Sequence, residues 1–410
     1  MSKNIIQKKK IAIIWENKEI GGVGSYLDFI LNNPSFENFD VTIYTNKTNH
    51  GSNILKKKLI NKKNIKYVNY KSFLIFESSF FLLKLINYLL KPFFFLIQYL
   101  VFKILFFNKD FNIMVGLCGG YGSFRGEVAA LLAYNKRSVK TLVVCHETAA
   151  GPMFLETLSK FIDRVISKNI SSIISISKAT RNSLHFKTDL FLSNKNLQEL
   201  VIYIGVPKYN LEKKTSIRNF DKDNKSIFNI GILSRIEPYK GHEDLCVAYS
   251  QLNRDIREKI NIYFIGTCEN IYKNKLLDLA KSLGIEKSVI FTGYLENTGQ
   301  EIISNLDLLL CLTRNFEGFG ISLAEAMSVK TPILSTNVGA IPEFLNLKNS
   351  YLINPSSPPE ISIALSNFIL NNDSWKKRAE IAFADYNTMY TSDKMCKDLL
   401  SHFYLKDKMK

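Results

Sequence analysis

The sequence predicts two doubly wound α/β domains, each built on a parallel sheet, with a ligand cleft between them at the carboxyl ends of the strands. Three observations carry this expectation. Short apolar runs alternate with helix-length segments along all 410 residues, the rhythm of βαβ units. That rhythm stops once, at Pro207–Ser226, a stretch rich in Lys, Asn and Asp and poor in periodic apolar residues. Composition supplies the third: 46% of residues are hydrophobic and 22% charged, enough apolar material for two cores. The same figures exclude a mostly disordered chain, a collagen-like fibre and a multi-span membrane protein.

The elements follow in order. Strands are expected at Ile11–Trp15, Val41–Thr45, Asn112–Leu117, Thr141–Cys145, Ser172–Ser177 and Val201–Ile204 in the first half. The second half offers Ile227–Leu233, Asn261–Ile265, Val289–Thr292, Leu308–Leu312, Pro332–Ser335 and Tyr351–Ile353. These give domains over residues 1–206 and 227–385, joined by a linker at 207–226 and followed by a helical end at 386–410.

Lys and Arg number 54 against 37 Asp and Glu, a formal charge of +17. An excess of this size implies an anionic partner: nucleic acid, an anionic membrane or a phosphorylated substrate. The charge is unevenly placed, +15 up to Gly205 and +2 after it. Its clusters are Lys8–Lys10, Lys56–Lys58 and Lys62–Lys66. The six cysteines, Cys118, Cys145, Cys246, Cys268, Cys311 and Cys396, show no metal or redox spacing and mostly sit in apolar runs. They read as reduced thiols and predict a cytoplasmic protein. The five histidines form no His-Glu-x-x-His pattern, so no protein-held metal is expected. The basic start is followed by an apolar run, Ile11–Trp15, too short for a signal-peptide core.

Phe73–Phe107 is the most hydrophobic stretch, yet its longest uncharged segment, Pro92–Phe102, has eleven residues, well short of the roughly 20 a spanning helix needs. Glu77, Lys84, Lys91 and Gln98 recur every seven residues, which sets them near one helix face. Pro92 is expected to break or kink that helix. Two readings stand: a pair of helices packed on a sheet, or an amphipathic surface that dips into anionic lipid with lysines at the headgroups.

Three motifs carry chemistry. Gly21-Gly22-Val23-Gly24 follows the first strand and opens a helix, where backbone N–H groups can meet an anion. The third glycine of a dinucleotide fingerprint and the Gly-Lys-Ser/Thr of a P-loop are both missing, and an ordinary tight turn suits the same glycines. In Gly231-Ile232-Leu233-Ser234-Arg235-Ile236-Glu237-Pro238-Tyr239-Lys240-Gly241, Arg235 and Lys240 follow a strand end and suit a diphosphate. In Glu317-Gly318-Phe319-Gly320-Ile321-Ser322-Leu323-Ala324-Glu325, a strand is followed by a helix expected to begin near Phe319. Two carboxylates there can accept hydrogen bonds from sugar hydroxyls, and the helix N-terminus can meet a phosphate.

Arg235 and Lys240, then Glu317 and Glu325 in a Glu-x7-Glu spacing, then Gly339-Ala340-Ile341-Pro342-Glu343, together resemble the retaining nucleotide-sugar glycosyltransferases of family 4. That family has the GT-B fold of two Rossmann-like domains. The N-terminal glycine turn, His146 in Val143-Val144-Cys145-His146-Glu147 and the helical, aromatic end Trp375–Lys410 resemble it too. The resemblance implies that Arg235 and Lys240 hold the donor diphosphate and that Glu317 binds donor-sugar hydroxyls. It implies further that Glu325 binds the ribose and that the backbone of Gly318, Phe319, Gly320 and Ile321 contacts phosphate or sugar. His146 would lie against the donor sugar, Gly22, Val23 and Gly24 near phosphate or acceptor, and Tyr294 beside the base. The last helix would pack back on the first domain. Tyr203-Ile204-Gly205 stands where the family usually has Pro-Asn-Gly, a departure expected to touch the hinge more than the chemistry.

The implied reaction is sugar transfer from a UDP- or GDP-sugar to a lipid-linked or growing cell-surface glycan, with retained stereochemistry. The nucleotide-sugar is a substrate, and neither a metal nor another cofactor is expected, since Arg235 and Lys240 supply the positive charge. The basic first half would face an anionic membrane at the inner surface of the cell. Alternatives are a glycosyltransferase with a soluble acceptor and a GT-B-like sugar-nucleotide epimerase. A nucleic-acid-binding protein is the reading from another class; it lacks a recognisable DNA or RNA module, and no nucleic-acid partner is expected.

Overall fold

The computed structural model describes residues 8–16, 21–73, 86–87, 89–146, 156–192, 194, 196–210, 212, 217, 220 and 227–408. The chain divides into two compact units, Met1–Tyr203 with Met395–Lys410, and Ile204–Lys394.

The first unit holds strands β1 (Lys9–Trp15), β2 (Phe39–Asn46), β3 (Ile65–Tyr70), β4 (Ile113–Cys118), β5 (Val139–Val144), β6 (Ser172–Ser175) and β7 (Gln198–Val201). They pair in parallel in the order β3-β2-β1-β4-β5-β6-β7. Its helices are α1 (Gly22–Leu31), α2 (His50–Lys58), α3 (Lys91–Phe106), α4 (Gly126–Ala133), α5 (Glu156–Asn169) and α6 (Lys178–Lys187). A parallel sheet needs crossovers on its faces, and strands covered on both sides carry continuous apolar runs. Ile11–Trp15 is such a run, buried throughout.

The second unit holds β8 (Phe228–Leu233), β9 (Ile260–Ile265), β10 (Val289–Gly293), β11 (Leu308–Cys311), β12 (Ile333–Thr336) and β13 (Tyr351–Ile353), all parallel, in the order β10-β9-β8-β11-β12-β13. Helices α7 (His242–Ser250), α8 (Arg254–Arg257), α9 (Asn270–Ser282), α10 (Gly299–Ile303), α11 (Ile321–Ser328), α12 (Pro358–Leu370) and α13 (Asn372–Met389) complete it. The final helix, α14 (Ser392–Lys408), starts in the second unit and continues into the first. Each sheet reverses its winding once, between β1 and β4 and between β8 and β11. Such switch points are where doubly wound sheets leave a crevice for ligands.

Two expectations are corrected. Strand β3 lies in a stretch read only as a basic cluster, and Val201–Ile204 pairs three residues earlier, as Gln198–Val201. The helical run is broken at Pro92 as expected: residues 86, 87 and 89 are helical, Leu90 is a turn, and Pro92 sits in the first turn of α3, where its missing N–H and fixed φ fit. Gln98, on the same helix, is fully buried and accepts a hydrogen bond from the Phe73 N–H at 3.0 Å. Glu77 and Lys84 lie outside the described residues.

Most of the 207–226 stretch also lies outside them, but Ile217 and Phe220 are buried and the Phe220 ring packs on Tyr263 at 4.7 Å. Among the described residues, no helix is long and apolar enough to cross a membrane.

Candidate active site

The second unit's switch point gathers the loops after β8 and β11. Lys240 comes from the first and Glu317 from the second, and Lys240 Nζ donates to Glu317 Oε2 at 2.7 Å. Thr313, two residues past β11, donates its hydroxyl to the same carboxylate oxygen at 3.2 Å and lies 3.5 Å from Lys240 Nζ. The ammonium also sits 5.0 Å from the centre of the Tyr239 ring. Burial by itself pushes the Lys240 pKa down, but the Glu317 carboxylate outweighs it and holds the ammonium above its ordinary range. The loop therefore presents a fixed cation at neutral pH. His242, two residues on, is fully buried edge-on to Phe264. Burial and then the neighbouring Lys240 lower its pKa to about 3, which keeps the imidazole neutral.

Backbone placement holds these groups. Arg314 N–H donates to Tyr239 O at 2.8 Å, while its guanidinium forks onto Asp244 at 2.8 and 2.7 Å. Since Asp244 opens α7 just after Lys240-Gly241, Arg314 clamps the two loops together. Gly339 takes φ +57° and its turn lies on the backbone of Glu317, where a Cβ would fall 2.3 Å from the Glu317 carbonyl oxygen. Ala340 N–H donates to that carbonyl at 2.9 Å, so the glycine sets the height at which Glu317 stands.

Helix α11 begins at Ile321, two residues later than expected, with Gly320 as its N-cap. The Phe319 side chain is part of the core, stacked on Phe344 at 4.8 Å, so only the backbone of Gly318–Ile321 can serve a ligand. Glu325 is buried on the second turn, and its carboxylate lies on Gly299 at the start of α10, where a Cβ would come within 2.1 Å of Oε2. Arg235 pairs with Glu237 at 2.7 Å. Tyr294 is half exposed just past β10, the edge strand of the sheet. The structure thus joins Lys240 and Glu317 directly and does not seat Tyr294 on the strands that carry them.

In the first unit, Gly21 caps α1 and Gly22 begins it, as the motif predicts. Gly24 N–H is used inside the turn, donating to Gly21 O at 2.9 Å, and Val23 is buried. His146 lies half-buried two residues past β5, while Glu147 is outside the described residues. At this unit's own switch point stands a group that the sequence did not single out. Glu16, directly after β1, and Glu127, on the first turn of α4, are both buried. Tyr70 OH donates to Glu16 Oε1 at 2.8 Å and Arg125 Nε to Glu127 Oε2 at 3.4 Å, while the Glu16 N–H donates to Glu127 Oε1 at 3.1 Å. Burial, and then the neighbouring Glu127, push Glu16 up to about 7. Burial raises Glu127 as well, against the pull of Arg125.

Known proteins agree with this architecture. The family model described as Glycosyl transferases group 1 matches residues 212–385. An uncharacterized glycosyltransferase of Methanocaldococcus jannaschii is 26% identical over 86% of this chain and 87% of its own length. The serotype-specific mannosyltransferase WbdA of Escherichia coli is 26% identical over 54% of this chain, which spans 28% of that protein. Among solved structures, HepE of Anabaena, in complex with UDP and glucose, superimposes with a TM-score of 0.71 at 16% identity, covering 96% of this chain and 99% of that one. Two parallel Rossmann-like sheets of this kind are the GT-B fold, and the chain resembles the glycosyl transferases group 1, whose domain it carries over residues 212–385.

Proposed function

We propose that the protein is a retaining, metal-independent hexosyltransferase that moves a sugar from a UDP- or GDP-sugar to a lipid-linked or growing cell-surface glycan. The observation that carries this is the Lys240–Glu317–Thr313 cluster at the β8/β11 switch point, a fixed cation and a carboxylate within one hydrogen-bond network. In the reaction the bond from the anomeric carbon to the diphosphate oxygen breaks and a bond to the acceptor oxygen forms, while the acceptor's proton passes to the leaving phosphate. Negative charge grows on the diphosphate, and Lys240 and Arg235 are assigned to it. The backbone at the start of α11 is assigned to the same phosphates. Glu317 is assigned to donor-sugar hydroxyls, Glu325 to the ribose and Tyr294 to the base. From the first unit, His146 and the Gly22–Gly24 turn are assigned to substrate contact.

The acceptor reading is supported by the excess of +15 up to Gly205, which suits an anionic membrane surface, and by likeness to a relative named a serotype-specific mannosyltransferase. A screen of nucleotide-sugars for thermal stabilisation tests the donor. One that binds at about 100 times its Kd should stabilise the fold by about 2.7 kcal/mol, and Glu325→Ala should abolish that gain. Transfer should persist with excess chelator. If UDP- and GDP-sugars all leave the melting temperature unchanged in wild type and in Glu325→Ala alike, the reading is wrong.

A further inference from the structure

Helix α3 is apolar on both sides. Its inner face packs Phe102 on Tyr70 at 4.9 Å and Phe106 on Tyr44 at 5.1 Å, as a helix covering a sheet should. Its outer face carries Phe93, Leu96, Leu100 and Ile104 at spacings of three and four, which brings them into one stripe. Leu89 before the helix and Phe107 after it extend the stripe, and all six are 51–78% exposed. A surface helix ordinarily turns charged residues outward, and one that is hydrophobic all round is covered by something apolar. No acidic residue lies on α3 at all.

The surroundings say what could cover it. Lys103 borders the stripe with its ammonium 5.6 Å from the centre of the Tyr99 ring, and Lys109 follows the helix end. The edge strand β3 meets α3 where Tyr70 packs on Phe102, and it carries Lys66 and is followed by Lys71, with no acid from Ile65 to Lys71; the lysines of α2 stand instead beside α1, where Lys58 pairs with Asp28 at 3.4 Å. Apolar side chains bordered by cations fit the boundary between acyl chains and anionic headgroups, with lysines reaching to the phosphates. At 16 residues the helix would lie in that boundary rather than cross it.

We propose that the outer face of α3 is an in-plane membrane anchor that seats the first unit on an anionic lipid surface. For its purpose this rests on the lipid-linked acceptor proposed above, but binding itself is tested without substrate. The full chain is sedimented with vesicles of phosphatidylcholine alone and of phosphatidylcholine with phosphatidylglycerol. Wild type is expected to pellet with the second and far less with the first. Leu96→Glu/Leu100→Glu/Ile104→Glu should cut the bound fraction at least about tenfold. The matching triple alanine variant, which keeps a strong helix former at each site, should weaken binding while leaving the melting temperature in place.

Three results overturn the proposal. One is wild type that ignores anionic vesicles, or a triple glutamate variant that still pellets. Another is a wild-type dimer by light scattering that the variant makes monomeric without any vesicle effect, which points to a second copy. The third is an alanine variant that melts several degrees lower while wild type stays in the supernatant, which points to cover by residues 74–85. Nucleotide-sugar stabilisation measured in parallel separates the two proposals: if it survives while vesicle binding fails, only the anchor falls.

Discussion

Lys240 and Glu317 meet with side chains only 16% and 13% exposed, so each neutralises a charge that its surroundings solvate poorly. Removing one partner strands the other. Lys240→Met or Glu317→Gln is expected to destabilise the second unit by about 1–3 kcal/mol and to slow transfer roughly 100-fold or more. The double variant should regain most of the stability and none of the turnover, because it restores charge balance without restoring the cation. Thermal melts set beside single-turnover rates check this; a double variant that recovers activity would remove Lys240 from the chemistry. Glu16 gives a prediction of the opposite character. Its folded pKa of about 7 lies above its ordinary 4.5, so the folded state binds the extra proton between these values. The stabilisation is complete below about pH 4.5 and is lost as pH rises through 7. Glu16→Gln, whose amide oxygen can still accept from Tyr70, should therefore be more stable than wild type at pH 8 by roughly 1–3 kcal/mol. At pH 4.5 the two should differ little. Denaturant titrations at both pH values decide it.

At the scale of elements, Glu325 and Gly299 depend on each other. The carboxylate on α11 occupies the space a side chain at the head of α10 would fill. Gly299→Ala should displace Glu325 and raise the donor KM about tenfold with little change in kcat, since it disturbs binding in the ground and transition states alike. An unchanged KM would place Glu325 outside the donor site. The sequence showed Glu325 through its spacing from Glu317, whereas Gly299, distant in sequence, carried no signal. Second-unit strands were legible to within a residue at each end because runs such as Leu308–Leu312 are apolar throughout. Strand β3 escaped because it is a sheet edge, where exposed Lys66 and Asn69 interrupt half-buried neighbours. The burial of Gln98 needed the fold, because a seven-residue recurrence of polar residues reports a shared face but not which way it turns. Glu16 and Glu127, 111 residues apart, become partners only when β1 and β4 pair. Thr313 and Arg314 looked like ordinary loop residues until the switch point set them beside Lys240.

For the whole molecule, the uneven charge was plain from sequence, while the apolar stripe on α3 needed the fold. The path of the chain makes the last prediction. It leaves the first unit after Tyr203 and re-enters it at Met395. At the exit, Val206 N–H donates to Tyr390 O and Ser392 N–H to Val206 O, both at 2.9 Å. Gly205 lies so near Thr391 that a Cβ would meet its carbonyl oxygen at 2.0 Å, which accounts for the glycine kept in Tyr203-Ile204-Gly205. Beyond that tie, α14 buries Met395, Cys396, Leu399 and Phe403, and His402 Nε2 reaches Ser172 Oγ on β6 at 2.7 Å. Burial of these four side chains stabilises the first unit by an upper bound on the order of 5–10 kcal/mol, comparable with the whole stability of a domain. Deleting residues 395–410 should therefore unfold the first unit and spare the second. The chain's two tryptophans report on this separately, since Trp15 is buried in the first unit and Trp375 in the second. In a Trp375→Phe background the truncated chain should emit from an exposed Trp15, while in a Trp15→Phe background Trp375 should keep its buried emission and its melt. A truncated protein in which Trp15 stays buried and melts as in the full chain would show that α14 adds nothing the first unit needs.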